Sequence, residues 1–406
     1  MDFKPANNIQ DLQYFGEFGG VNPSISDSST YTFLSAKKMF DTFEGNADGC
    51  YLYSRHSSPS NLYLGEALAA MEGTETANVT ASGMGAITAV ILQLCNAGDH
   101  VVSSRTIYGG TYAFLKNFTP RFNIETSFVD ITKPDVVEKA ITKNTKVIFC
   151  ESVSNPLLEV ADIKKLAEIA KKYNLKLVVD NTFSPLSISP AKLGADVVIH
   201  SLTKFINGTS DTVAGVVCGK QELINDLRNV NNGACMLLGS TMDSYRSASV
   251  LKNLRTLHIR MQQHSYNAHF LAKKFEADGL KTVYPGLKSH PSHQLFKSMM
   301  NTQYGFGGML TIDVGSLEKA NELMEMMQLE NLGYLAVSLG FYKTLFSAPG
   351  TSTSSEIPIE EQKEMGLSDG LIRFSIGLDG DIERTYKTMR NCMEKLDIVE
   401  SQLLSI

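Results

Sequence analysis

Short apolar runs alternate along this chain with stretches at helical spacing, and that alternation constrains its fold more than any other feature. Val147-Ile148-Phe149-Cys150, Leu177-Val178-Val179-Asp180, Val197-Val198-Ile199-His200 and the run from Val213 to Cys218 are apolar almost throughout, not at every second position. Strands of that kind need cover on both faces. Ile87, Val90, Ile91 and Leu94, and later Ile163, Leu166, Ala167 and Ala170, form the one-sided helical faces that can supply it. The expected fold is α/β, a mostly parallel sheet with helices on both faces.

The alternation begins near Asn61. Residues 1–60, rich in Gly, Ser, Asn and aromatics, read as an extended N-terminal arm, and 61–260 as a large domain. A helical stretch over Ala248–Phe275 leads into a smaller α+β domain, 261–406, with strands at Gly307–Asp313 and Leu371–Ser375. The formal charge of −6 and the lack of a basic block suggest no nucleic acid or anionic membrane as partner. No apolar run approaches the roughly 20 residues of a membrane span. The start, Met1 to Asn8, lacks the basic and apolar regions of a secretory signal. Six cysteines are scattered without a C-x-x-C pair, so free thiols and a cytoplasmic location are expected. His290 and His293 have no cysteine or acid at ligand spacing, and no metal site is expected.

Four features sit at the ends of expected strands, where open α/β sheets place their ligands. Thr80-Ala81-Ser82-Gly83-Met84-Gly85 opens a helix with small residues, so free N–H groups could hold a phosphate there. It also reads as an ordinary strand-to-helix turn. Asp180 leaves an apolar strand, where a carboxylate is costly unless paired or functional; on its own it could equally cap the next turn. Lys204, after Ser201-Leu202-Thr203, could form an imine with an aldehyde cofactor if its surroundings favour the neutral amine. Arg373 lies between apolar Ile372 and Phe374, where a guanidinium could grip an α-carboxylate through two hydrogen bonds.

In this order the four resemble the trans-sulfuration family of fold-type I enzymes that use pyridoxal phosphate (PLP). The resemblance extends to Tyr51-Leu52-Tyr53-Ser54-Arg55, Ile107-Tyr108-Gly109-Gly110-Thr111, Glu151-Ser152-Val153-Ser154-Asn155-Pro156 and Ala336-Val337-Ser338-Leu339-Gly340. It implies Lys204 as the Schiff-base lysine and proton shuttle, and Asp180 as partner of the pyridine nitrogen. Tyr108 would stack on the ring and protonate the leaving group. Ser82, Gly83, Met84, Ser201 and Thr203 would hold the phosphate, with Tyr53 and Arg55 reaching it from a neighbouring subunit. Asn155, Ser338 and Arg373 would contact the substrate. The resemblance further implies a homo-oligomer, a tetramer of two catalytic dimers, with the arm against the neighbour.

Gly16-Glu17-Phe18-Gly19-Gly20-Val21-Asn22, Cys235-Met236-Leu237-Leu238-Gly239 and Ser352-Thr353-Ser354-Ser355-Glu356 look most like the plant-type methionine γ-lyase branch of the family. That branch implies γ-elimination of a sulfur amino acid; γ-replacement with an incoming thiol would use the same residues. Gly110 stands where bacterial methionine γ-lyases carry cysteine, although the plant-type branch also resembles Gly-Gly-Thr here, and Thr353 stands where many relatives have histidine. Lys343 replaces an acid common among the family's lyases, and if it faces the pocket it disfavours a distal ammonium such as that of cystathionine.

Overall fold

In a strand, neighbouring side chains point to opposite faces, so an all-apolar run feeds two cores at once. The computed structural model, which describes residues 3–44, 49–352 and 357–400, shows this directly. Seven strands form the larger sheet: β1 (Thr76–Thr80), β2 (His100–Ser104), β3 (Glu125–Val129), β4 (Thr145–Glu151), β5 (Lys176–Asp180), β6 (Val197–Ser201) and β7 (Gly215–Gly219). From β4, β5 and β6, the residues Ile148, Cys150, Leu177, Val179 and Val198 enter one core. Helices Pro59–Glu72, Ile163–Lys172 and Ser244–Leu254 line it through Leu64, Leu68, Leu166, Ile169, Val250 and Leu254. Val147, Phe149, Val178, Val197 and Ile199 enter the other, beneath helices Gly83–Leu94 and Gln221–Arg228. Truncating one of these fully buried aliphatic side chains to alanine costs about 2–5 kcal/mol.

The sheet order is β1-β7-β6-β5-β4-β2-β3. β3, β2, β4, β5 and β6 run parallel, whereas β7 is antiparallel to both β6 and β1. Because β7 reverses direction, Thr80 at the end of β1 and Ser201 at the end of β6 both pair with Gly215. The ends of β1, β4, β5 and β6 therefore share one rim.

A second, five-stranded sheet has the order β10-β11-β12-β9-β8: β8 (Lys281–Val283), β9 (Met309–Asp313), β10 (Tyr334–Leu335), β11 (Leu345–Ser347) and β12 (Leu371–Ser375). Helices Leu257–Ala277, Leu317–Leu329 and Ile382–Lys395 cover it, with Phe275, Leu310, Leu323, Met327, Phe374 and Met389 in a third core. The fold is thus mostly parallel α/β with a smaller sheet-containing unit.

Two local expectations change. The helix expected over Ala248–Phe275 is broken at Arg255 and Thr256 into Ser244–Leu254 and Leu257–Ala277. Thr256 Oγ1 and Arg260 Nη2 donate to the Asn253 carbonyl, the acceptor that a continuous helix would give to the next turn. The first sixty residues are not extended throughout. They hold short helices at Pro5–Gln10 and Ala36–Phe43, and Asn8 Nδ2 and Tyr14 Oη donate to the carbonyls of Ala70 and Tyr63. No helix among the described residues is long and apolar enough to cross a membrane.

Candidate active site

The shared rim opens on a cavity of about 280 Å³. Ser82, Gly83, Met84, Tyr108, Asn155, Asp180, Ser201, Thr203, Lys204 and Arg373 all line it, so ten residues drawn from distant parts of the sequence meet in one place.

Lys204 follows β6 in a turn whose amide donates to Ser201 O. Its Nζ lies 3.1 Å from Ser338 Oγ, which arrives from the loop between β10 and β11. Burial first, and then the Arg373 charge, lower its pKa from 10.5 to about 8. A lysine so placed loses its proton readily and becomes a nucleophile near neutrality.

Asp180 ends β5, and its Oδ1 accepts from both Thr182 N (2.9 Å) and Thr182 Oγ1 (2.5 Å). Both donors take the same oxygen, so Oδ2 remains for another. Burial pushes this carboxyl up, against the opposing pull of Thr182 and His200. A protonated ring nitrogen beside it would supply the missing counter-charge.

Ser82 caps the Gly83–Leu94 helix, its Oγ accepting from Gly85 N at 2.9 Å. The N–H groups of Gly83 and Met84 then have no partner among the described residues, and they point from a helix N-terminus, the usual setting for an anion. Gly83 is required by space: a Cβ there would lie 2.8 Å from Ser201 Cβ. Thr203 Oγ1 is held by the Ala214 backbone, accepting from its N–H at 3.0 Å.

Arg373, on β12, is 2% exposed. Nη1 donates to Asn155 Oδ1 at 2.9 Å, and Nη2 to Ser347 Oγ at 3.4 Å and Val337 O at 3.3 Å. Nε has no partner among the described residues, and no acid pairs with the guanidinium there. A buried cation without a counter-ion is costly, and a carboxylate arriving in the cavity would remove that cost.

Not every residue singled out in the sequence lines this cavity. Tyr53 and Arg55, expected to act at a neighbouring subunit's site, do not line it in their own chain. Tyr53 bridges to Thr30, and Arg55 Nη1 donates to Met236 O at 2.7 Å. Lys343 does not line it either; its ammonium sits 4.8 Å from the Tyr334 ring centroid. Lys343 therefore does not select the substrate from the wall of this cavity, contrary to expectation. Thr353, Ser354, Ser355 and Glu356 lie outside the described residues. Gly110 gains a structural reason, since a Cβ there would stand 2.6 Å from Tyr108 Cε1. The sequence reading gave no role to Glu151 or Thr182, and both line the cavity. Glu151 carried the same signal as Asp180, an acid at the end of an apolar strand.

These groups fit pyridoxal phosphate on the structure's own terms. A neutral-leaning buried amine suits its aldehyde, an unfilled carboxylate oxygen its ring nitrogen, and open helix N–H groups its phosphate. Comparison with known proteins agrees. The family model described as "Cys/Met metabolism PLP-dependent enzyme" matches residues 7–388. The chain is 46% identical over 392 residues to a methionine γ-lyase of Arabidopsis thaliana, covering 95% of this chain and 89% of that one. It is 39% identical over 382 residues to a cystathionine γ-lyase of Bacillus subtilis, covering 93% and 95%. A solved chain from Campylobacter jejuni, described as an O-acetylhomoserine (thiol)-lyase with a pyridoxyl-lysine phosphate at its position 205, superposes with a TM-score of 0.89. That pair is 29% identical, with 97% and 100% covered. Fold and cofactor together define a PLP-dependent enzyme of fold type I. The chain belongs to the Cys/Met metabolism family of these enzymes.

Proposed function

We propose that this enzyme carries out γ-elimination of L-methionine, consuming water and giving methanethiol, 2-oxobutanoate and ammonia. The observation that carries the substrate choice is the flank of the cavity formed by Met84, Val213, Val337 and Leu339. It is apolar and suits an uncharged thioether. Of the two carboxylates lining the cavity, Glu151 is held at both oxygens by backbone N–H groups, and Asp180, bonded to Thr182 through Oδ1, keeps Oδ2 for the ring nitrogen. With PLP in place, a distal ammonium such as that of cystathionine would meet no free carboxylate among the residues lining the cavity. The resemblance to the Arabidopsis methionine γ-lyase supports the same choice.

PLP, when bound, supplies the electron sink that makes the protons on the substrate's Cα and Cβ removable. The chain's residues do the rest. Arg373 and Asn155 hold the α-carboxylate and fix the amino acid's orientation. Lys204 Nζ takes the Cα proton and then moves a proton at Cβ, with Ser338 Oγ steadying the amine between transfers. Tyr108 Oη delivers a proton to the departing sulfur, so the leaving group is a thiol and not a thiolate. Asp180 would keep the proton on the ring nitrogen, and Ser82, Gly83, Met84, Ser201 and Thr203 would hold the phosphate.

Tyr53 and Arg55, which do not line the Lys204 cavity of their own chain, belong in this reading to the phosphate site of a second copy. Exposed Phe15, Phe18, Leu34 and Leu238 favour such an assembly, a tetramer of two catalytic dimers. Product analysis tests the function. Purified enzyme is given methionine, cystathionine, or O-acetylhomoserine with sulfide. Methionine-dependent 2-oxobutanoate without added thiol supports elimination. Strict dependence on sulfide and the O-acyl substrate would make this a replacement enzyme instead.

A further inference from the structure

Glu151 is the last residue of β4, 7% exposed, and pairs in register with Asp180 on β5. Its two oxygens do different jobs. Oε1 accepts the backbone N–H of Tyr108 at 2.8 Å, and Oε2 accepts the backbone N–H of Asn155, also at 2.8 Å. Tyr108 precedes a short helix at Gly109–Ala113, after β2, while Asn155 lies in the loop after β4. One carboxyl group thus ties together two loops that no ladder hydrogen bond joins.

We propose that Glu151 is a positioning residue: its carboxylate sets the spacing between Tyr108 and the Asn155–Arg373 pair, and so between proton delivery and carboxylate binding. The proposal rests on the roles given above to Tyr108, Asn155 and Arg373. Three observations support it. No cation forms an ion pair with Glu151 among the described residues, so its two amide partners are what hold it. Asn155 hands the tether on, because its Oδ1 accepts from Arg373 Nη1 at 2.9 Å. An acid is an expensive choice here, since burial and the Asp180 charge raise its carboxyl, and the N–H groups of Tyr108 and Asn155 are what pull it back toward the carboxylate. A buried strand end without such a task is better served by an apolar residue.

Chemistry makes the requirement specific. A carboxylate accepts at both oxygens, whereas a glutamine amide offers one acceptor and one donor. Glu151→Gln keeps the size but turns an N–H donor against one of the two amides, so the tether opens at one end.

The test uses holoenzyme and two separate readouts. Glycine, which binds through amine and carboxylate but carries no leaving group, is titrated against the visible absorbance of the bound cofactor. Methionine turnover gives kcat. Asn155→Ala should weaken glycine with less effect on kcat, and Tyr108→Phe should lower kcat with less effect on glycine. Glu151→Gln should weaken glycine or lower kcat by about tenfold or more. Its effect should shrink to less than about threefold when added to the single variant at the end it disturbs. Full additivity, or glycine affinity and kcat both unchanged in Glu151→Gln, overturns the tether alone. If Tyr108→Phe and Asn155→Ala change neither readout, the functional roles fail and the tether fails with them.

Should Glu151→Gln not fold, hydrogen–deuterium exchange on the unaltered holoenzyme decides. Slow exchange of the Tyr108 and Asn155 amides, despite their place at the cavity wall, supports the tether. Rapid exchange of either contradicts it.

Discussion

Lys204 Nζ stands 3.1 Å from Ser338 Oγ, across the junction between the large sheet and the segment that joins β10 to β11. The lysine proposed to carry the cofactor chemistry is therefore steadied by the smaller unit, which also supplies Arg373. Neither sheet contains a complete site alone.

The lowered pKa of Lys204 has a measurable sign. In the folded apoprotein its amine gives up its proton at about 8, where an ordinary lysine holds it to 10.5. The neutral amine is the reactive form, so recombination of apoprotein with PLP should quicken about tenfold per pH unit below pH ~8 and level off above it. Stability follows the same group. The burial cost is present in full below about 8 and shrinks as pH rises toward 10.5, because there the unfolded chain binds the extra proton. Stopped-flow absorbance between pH ~6 and ~10 measures the first effect. A rate flat with pH would show that Lys204 is not the group that reacts.

Arg373→Lys should raise KM for methionine roughly 10- to 100-fold, in line with losing a charged hydrogen bond worth about 1.5–3 kcal/mol. The planar fork that reaches Asn155 Oδ1 and Ser347 Oγ has no equivalent in an ammonium. kcat should fall by a smaller factor, because the interaction exists before the transition state. Steady-state kinetics would refute this if kcat fell while KM stayed put.

At Gly110 the constraint is space. A methyl group there would press on Tyr108 Cε1 at 2.6 Å, so Gly110→Ala should displace the tyrosine ring. Misplacing a proton donor by even an ångström can cost up to about 100-fold, and the loss should fall on kcat. An alanine variant with unchanged kcat would mean that Tyr108 does not work from the position seen here.

Substrate choice is assigned to the cavity wall and not to Lys343. Val337→Glu introduces a carboxylate on the apolar flank and should shift the kcat/KM ratio toward cystathionine by about tenfold or more, ~1.4 kcal/mol or above. Lys343→Glu should leave that ratio where it was, since Lys343 sits on Tyr334 outside the cavity. Competition assays with both amino acids decide between the two positions.

Much of this was legible in the sequence, for identifiable reasons. Runs such as Leu177-Val178-Val179 are apolar because both faces are covered, and that alone implied the layered α/β fold. Asp180, Lys204 and Arg373 stood out because each is a charge set in or next to an apolar strand. Glu151 ends such a strand too, but its meaning lies in Tyr108 N and Asn155 N, 43 and 4 residues away, and a backbone amide leaves no mark on a sequence. The reversal of β7 was hidden because an apolar run reads the same whichever way the strand points. Lys343 misled because residue type does not fix side-chain direction. The break at Thr256 depends on Arg260 competing for one carbonyl, which helical periodicity cannot reveal.

The central claim is that the chain removes protons from both Cα and Cβ of methionine and expels its thiol. Proton NMR of methionine in D₂O with the holoenzyme follows all three events in one sample. The account predicts deuterium entering at Cα and at Cβ, with 2-oxobutanoate appearing although no other thiol or acyl donor is present. Exchange confined to Cα, with no 2-oxobutanoate, would contradict it.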